Sequence, residues 1–147
     1  MYITPLTWEL LTTHHSSYLA TLATLSPVGE HTSESLLACF HRMTTQGTGI
    51  FVALDEENNS IVGTISVLIE HKFNRWGSRV AHLEDLAVHG DAQGKWVGTA
   101  LIHTVIAYAK QQNCYKIILD ADKDPTHVHY YEKFWFSNEW AYMKISF

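Results

Sequence analysis

The stretch VAHLEDLAVHGDAQGKWVGTALIHTVIAYAKQQNCYKIILD, residues 80–120, decides the fold. Its first nine residues, 80–88, are apolar and β-prone apart from a Glu84-Asp85 pair, which predicts a strand. Residues 90–98 form a loop with glycine at both ends. From Thr99 to Gln112 the residues Leu101, Ile102, Val105, Ile106 and Ala109 recur at helical spacing and give one apolar stripe. Residues 115–120, YKIILD, then read as a short buried strand. A strand–loop–helix–strand unit of this length implies a parallel pair joined by a helical crossover.

Working outward, the flanks change period. Residues 8–25 are helix-permissive, with Leu10, Leu11, Tyr18, Leu19, Leu22 and Leu25 near helical spacing, until Pro27 and Gly29 intervene. A second helix is predicted over 33–43, capped at Thr32/Ser33 and carrying Leu36, Leu37 and Phe40 on one side. Residues 50–54 and 61–70 read as two strands around the polar turn 55–60. Beyond the central unit, a helix is expected over 125–134 and a last strand over 141–147. The chain is therefore expected to be one mixed α/β domain over residues 1–147, with a largely antiparallel sheet flanked by helices.

Composition narrows the function. The 147 residues fit a single domain, and 46% hydrophobic with 17% charged residues suffices for an ordinary core. A formal net charge of -5 argues against non-specific nucleic-acid binding, which needs a basic face. Cys39 and Cys114 are too few for a disulfide framework and are read as buried thiols in a reducing compartment. The start shows no basic segment followed by an apolar core, and no apolar run approaches the roughly 20 residues of a spanning helix, so a cytoplasmic protein is expected.

The chemistry concentrates in Gln93-Gly94-Lys95-Trp96-Val97-Gly98-Thr99, between a strand and an amphipathic helix. A helix start exposes unpaired amides and the positive end of its dipole, and so binds phosphate without a dedicated side chain. Alone, such a loop reads equally as an ordinary connection. It lacks the Gly-Lys-Ser/Thr ending of a nucleotide P-loop. Ten histidines invite a metal reading, but His14-His15 and His127-x-His129 offer neither a helical zinc pair nor a Cys-rich site, and no metal is expected.

In context the run from His82 to Gly98 resembles the coenzyme A-binding motif of the GNAT acetyltransferases, Gln/Arg-x-x-Gly-x-Gly/Ala, with Gln93 at its first position and Gly98 at its last. Glu70-His71-Lys72-Phe73, the Glu84-Asp85 pair, residues 113–120 and Tyr130-Tyr131-Glu132-Lys133-Phe134 are similar to the glucosamine-phosphate branch of that family. The resemblance implies acetyl-CoA as cosubstrate and the 2-amino group of glucosamine 6-phosphate as acceptor, a step toward UDP-N-acetylglucosamine. It implies backbone contacts to acetyl-CoA from Leu86, Ala87 and Val88, pyrophosphate contacts from Gln93, Gly94, Lys95, Trp96, Val97, Gly98 and Thr99, and Tyr131 as the acid for the departing sulfur. Substrate contacts would come from Ser26, Lys72, Phe73, Asn74, Arg75, Glu84, Asp85, Tyr115, Lys116, Asp120 and Lys144. Of these, Tyr115, Lys116 and Asp120 would serve a site shared across a homodimer. Glu84, Asp85 and bound water remain alternatives for taking the ammonium proton.

Each residue also has a plain reading: a core aromatic for Tyr131, a solvated pair for Glu84 and Asp85, surface charges for Lys72 and Arg75, a turn cap for Asp120. Adjacent strand residues point to opposite faces, so Glu84 and Asp85 share a wall only if the strand splays or bulges. Trp96 occupies a position where many members carry glycine, although the glucosamine-phosphate branch often does not. Three departures stand out. His127 stands where the branch has an asparagine before its Phe-Tyr pair, and the spacing from Asp120 to Tyr131 is two residues longer. Trp135 replaces the glycine after the last helix and is strained there if that turn needs positive φ, by about 1–2 kcal/mol. Ser146 stands where the branch has an arginine for the sugar phosphate, leaving Lys144 to compensate. Trp76, Trp135 and Trp140 are assigned to packing or a dimer surface. The alternatives are the same chemistry on another small amine, or a catalytically idle acetyl-CoA-binding protein.

Overall fold

The computed structural model describes residues 1–121, 124–139 and 143–145. It is built as β1 (Tyr2–Pro5), α1 (Trp8–Leu22), α2 (Ser33–Thr45), β2 (Thr48–Asp55), β3 (Ser60–His71), the single turn α3 (Asn74–Gly77), β4 (Arg79–Val88), a 3-10 turn (Gly90–Ala92), α4 (Val97–Gln111), β5 (Cys114–Ile118) and α5 (Pro125–Glu132). The five strands lie in sequence order in one sheet. The first three pairings are antiparallel, and β4 pairs with β5 in parallel through α4, as the central unit of the sequence implies.

Strand alternation divides the core in two. Phe51, Ala53, Ile65, Val67, Ile69, Ala81 and Leu83 meet Val97, Leu101, Ile102 and Val105 of α4 on one face. On the other, Ile50, Val52, Leu54 and Ile61 meet Leu11 and Tyr18 of α1. The α4 face is apolar along β3. The α1 face is not: Thr64 and Ser66 are buried there, and that polarity matters for the site.

Local chemistry sets the helix ends. Thr7 accepts from the Leu10 amide (3.2 Å), Thr32 from the Ser35 amide (3.1 Å), and Asp124 from the Thr126 amide (2.8 Å) with Pro125 in the first turn. Helix α1 stops at Leu22 and not near Leu25: beyond it the Thr24 amide closes on Thr21 (3.2 Å) and the Leu25 amide on Leu22 (2.9 Å), tighter turns that leave Leu25 exposed. Strand β1 has no counterpart in the sequence reading; it is short, ends in proline and occupies a sheet edge. Helix α4 starts two residues earlier than expected, β5 ends two residues before Asp120, and α5 ends at Glu132. Of the strand expected over 141–147, residues 143–145 are exposed and outside any strand. Ala141, Tyr142, Ser146 and Phe147 lie outside the described residues, as do Asp122, Lys123 and Trp140. Among the described residues no helix is long and apolar enough to cross a membrane.

Two expectations about side chains change. Cys39 and Cys114 are free but only half-buried, and burial raises the Cys114 thiol while Arg79 opposes the shift. Trp76 and Trp135 do not pack within the chain: their exposures are 101% and 88%. Trp135 does take positive φ (64°), as do Trp76 (57°) and Trp96 (65°), so each side chain holds a conformation that glycine adopts more cheaply.

Trp135→Gly is expected to raise stability by about 0.5–1 kcal/mol, the relief of left-handed strain less the greater freedom of unfolded glycine, read as a higher denaturant midpoint. Gly63→Ala should do the opposite. A Cβ there would lie 2.6 Å from Val97 Cγ1 and 3.1 Å from Leu101 Cδ1, because the first turn of α4 rests on the β3 backbone. A loss of about 1–3 kcal/mol is expected in the same measurement.

Candidate active site

The site begins with a defect in the β3–β4 ladder. Ser66 pairs with Glu84 and Thr64 with Ala87, so Asp85 and Leu86 together oppose Ile65. This is a β-bulge, and Asp85 adopts positive φ (50°) within it. The extra residue resets the alternation. Leu83 lies in the α4-side core, and Leu86 and Val88 pack against that same core. Asp85 instead turns to the α1 face, where its carboxylate oxygen lies 3.4 Å from Ser66 Oγ. Glu84 and Asp85, adjacent in sequence, thus share one face. Both are exposed.

Asp120 lies two residues beyond the end of β5, past the last pairing of His82 with Ile118, and its charge bears on Glu84. Burial raises the Glu84 carboxyl above its usual range, the charges of Asp85 and then Asp120 raise it further, and His82 opposes them. That ladder ends at His82 and Ile118, so residues 83–88 of β4 have no partner on their β5 side among the described residues. An extended ligand with amide groups fits that opening, beside the backbone of Leu86, Ala87 and Val88.

At the end of β4 the chain enters the loop before α4. Gln93 donates from Nε2 to the Val88 carbonyl (3.2 Å) and ties the loop to the strand end. Gly94 and Trp96 both take positive φ (74° and 65°), Lys95 is exposed, and the Trp96 side chain is 77% exposed. No side chain caps α4 at Trp96. The first ladder bond is Ala100 N–H to Trp96 O (3.0 Å), so the amides of Val97, Gly98 and Thr99 precede it. These three backbone amides at the helix start have no intrahelical partner. Val97 itself is an anchor whose side chain is buried against β3.

Helix α5 packs over this helix start. A Cβ on Gly98 would lie 2.6 Å from the Tyr130 hydroxyl, so any larger residue there would push the Tyr130 side chain aside. Tyr130 is hydrogen-bonded to Thr99, and burial raises its phenol while that bond opposes the shift. Tyr131 is half-buried on the α4 side of the sheet, 5.4 Å ring to ring from Tyr130 and 6.0 Å from Phe136.

The cationic residues are engaged. Lys72 pairs with Glu70, whose other oxygen lies 2.7 Å from His82 Nε2. Arg75 stands 4.7 Å over the Tyr115 ring, which also carries Lys116 at 5.6 Å, so the β3–β4 turn folds against β5. Phe73 is fully exposed, and Asn74 with it. Ser26 is exposed in the α1–α2 connection, and Lys144 is exposed near the C-terminus; no described contact joins either to the Glu84 wall. No group of three or more potential metal ligands occurs among the described residues. Sequence reasoning missed Ser66, which bonds to both members of the Glu84-Asp85 pair, and His82, whose charge opposes the Glu84 shift. Each reads as core or strand filler until the strand register is known.

Three comparisons bear on this geometry. The model of the acetyltransferase (GNAT) family matches residues 10–136. Similar sequences include a probable glucosamine 6-phosphate N-acetyltransferase 2 of Oryza sativa, 31% identical over 92% of this chain and 83% of its own length. Another is the glucosamine 6-phosphate N-acetyltransferase of Candida albicans, 30% identical over 84% and 82%. Among solved structures, an acetyltransferase of Trypanosoma brucei superposes with a TM-score of 0.91 at 27% identity, covering 99% of both chains. Glucosamine-6-phosphate N-acetyltransferase from Arabidopsis thaliana superposes with 0.89 at 28% identity, covering 99% of this chain and 97% of that one. The chain belongs to the GNAT family of acetyltransferases, enzymes whose cosubstrate is acetyl-CoA.

Proposed function

We propose that this enzyme transfers acetyl from acetyl-CoA to the 2-amino group of D-glucosamine 6-phosphate, a step toward UDP-N-acetylglucosamine. The observation that carries the proposal is the bulge, which sets Glu84 and Asp85 on one face with Asp120 alongside. Three carboxylates on one wall suit an ammonium-bearing acceptor. The names of the similar proteins from rice, Candida and Arabidopsis support the same acceptor.

Bound acetyl-CoA supplies an activated acetyl thioester. The amides of Val97, Gly98 and Thr99 hold its pyrophosphate, with Gln93, Gly94, Lys95 and Trp96 shaping the loop. The open backbone of Leu86, Ala87 and Val88 aligns its pantetheine arm. Asp85 and Asp120 hold the substrate ammonium as counter-charges. Glu84 takes its proton: a raised carboxyl is the better base of two neighbours. Tyr131 returns a proton to the departing sulfur. Lys72 and Arg75, assisted by Lys144, meet the sugar phosphate, and Ser26, Phe73 and Asn74 border the sugar. Exposed Phe73 and Trp76, with Tyr115 and Lys116 on the edge strand β5, form a surface suited to a second copy, so a cytoplasmic homodimer with shared sites completes the proposal.

The engagement of Lys72 by Glu70 and of Arg75 by Tyr115 favours one second reading, the same chemistry on an unphosphorylated amine. Thiol release from acetyl-CoA separates the two. Release with glucosamine 6-phosphate and little with glucosamine supports the proposal; equal release with both sinks it. Tyr131→Phe should lower kcat by about 10²–10⁴-fold while acetyl-CoA binding, followed by calorimetry, is retained. The pH profile tests Glu84. It must be ionised to accept a proton and its carboxyl is raised, so the acid limb of kcat/KM should lie above the ordinary glutamate value of about 4.3. Asp120→Asn removes a like charge, lets that pKa fall and should move the limb to lower pH. An unmoved limb would remove Glu84 from the base role.

A further inference from the structure

Three hydroxyls lie buried beneath the bulge, and none belongs to the residues given a role above. Thr64 and Ser66 come from β3 and Tyr18 from α1. Burying a hydroxyl on a strand face that packs against a helix is costly unless it bonds to something, so what these three reach is informative. Ser66 stands opposite Glu84, donates toward the Glu84 carbonyl at 3.3 Å, and has Asp85 Oδ2 at 3.4 Å. Both contacts are long, as expected of one hydroxyl shared between the bulge's backbone and its side chain. Thr64 donates to the Phe51 carbonyl (3.4 Å). Tyr18 packs in the α1-side core, where burial pushes its phenol up to about 12. Asp85 meanwhile holds a left-handed conformation that a non-glycine residue adopts at a cost. Such strain persists where the surroundings over-determine it.

We propose that Ser66 is a positioning residue that holds the Asp85 carboxylate on the amine wall, one hydroxyl serving both the backbone and the side chain of the bulge. The inference rests on the reading of Asp85 as a contact to the substrate ammonium. It divides the labour of two adjacent acids: Glu84 exchanges a proton, while Asp85, held by Ser66, orients the ammonium.

The test is a double-mutant cycle: Ser66→Ala and Asp85→Asn, each alone and combined. Binding of glucosamine 6-phosphate is measured by calorimetry on the CoA complex, beside KM for both substrates and thermal unfolding. Ser66→Ala should weaken sugar binding by about tenfold, the loss of a bond to a charged group, with KM for acetyl-CoA unchanged. In the Asp85→Asn background it should not weaken binding further. Equal losses in both backgrounds, or parallel losses for both substrates, would overturn the proposal, since the hydroxyl would then serve the fold at large. Ser66→Thr, which keeps a hydroxyl, should restore binding and decides the matter if Ser66→Ala unsettles the bulge. An Asp85→Asn enzyme that binds the sugar like the wild type removes the reading beneath the proposal, and the proposal with it. Thiol release with no preference for the phosphorylated sugar, but with the cycle non-additive, would sink the choice of acceptor and leave the positioning intact.

Discussion

One extra residue in β4 organises this molecule's chemistry. A regular strand would send Glu84 to one face and Asp85 to the other, and would aim Leu86 and Val88 away from the α4 core. With Asp85 and Leu86 both opposing Ile65, the apolar phase is recovered after the pair, and two acids share the face opposite α4. The bulge therefore does two things at once. It keeps the core continuous on one side and concentrates negative charge on the other. Its position matters as much as its existence, because only a few residues further on β4 has lost its β5 partner and its backbone is open.

The second constraint is the seat of α4. Its first turn lies so close to β3 that Gly63 has no room for a Cβ, and the Tyr130 hydroxyl of α5 closes on Gly98. The helix start is thereby held between sheet and α5, and tryptophan at a left-handed position precedes it. Acid and cofactor halves of the site meet at the bulge: Glu84 and Asp85 stand before it, and the strand's open backbone follows it.

Much of the element order was legible in the sequence. The crossover helix, the β-meander and the parallel pair follow from periodicity, because apolar faces must recur at 3.6 or at 2 residues to be buried. The motif from Gln93 to Gly98 was legible for a related reason: the residues that let backbone approach an anion are few, and their spacing is short. Strand β1 was not legible, since four residues ending in proline carry no usable period. Nor was the place of Ser66, which reads as an ordinary strand residue until the register sets it against Glu84 and Asp85.

By itself, then, the sequence determined the order of helices and strands and the loop between β4 and α4, because each is written in a short local pattern. It also located the strained turn at Trp135, whose φ of 64° is a local backbone matter. What only the tertiary structure decided is which acids stand together. Glu84 and Asp85 share a wall because of a mismatch between two strands, and the charge of Asp120, beyond the end of β5, bears on Glu84. Strand pairing is a long-range contact, and a shift of one residue would send every side chain to the other face. No local pattern carries that information.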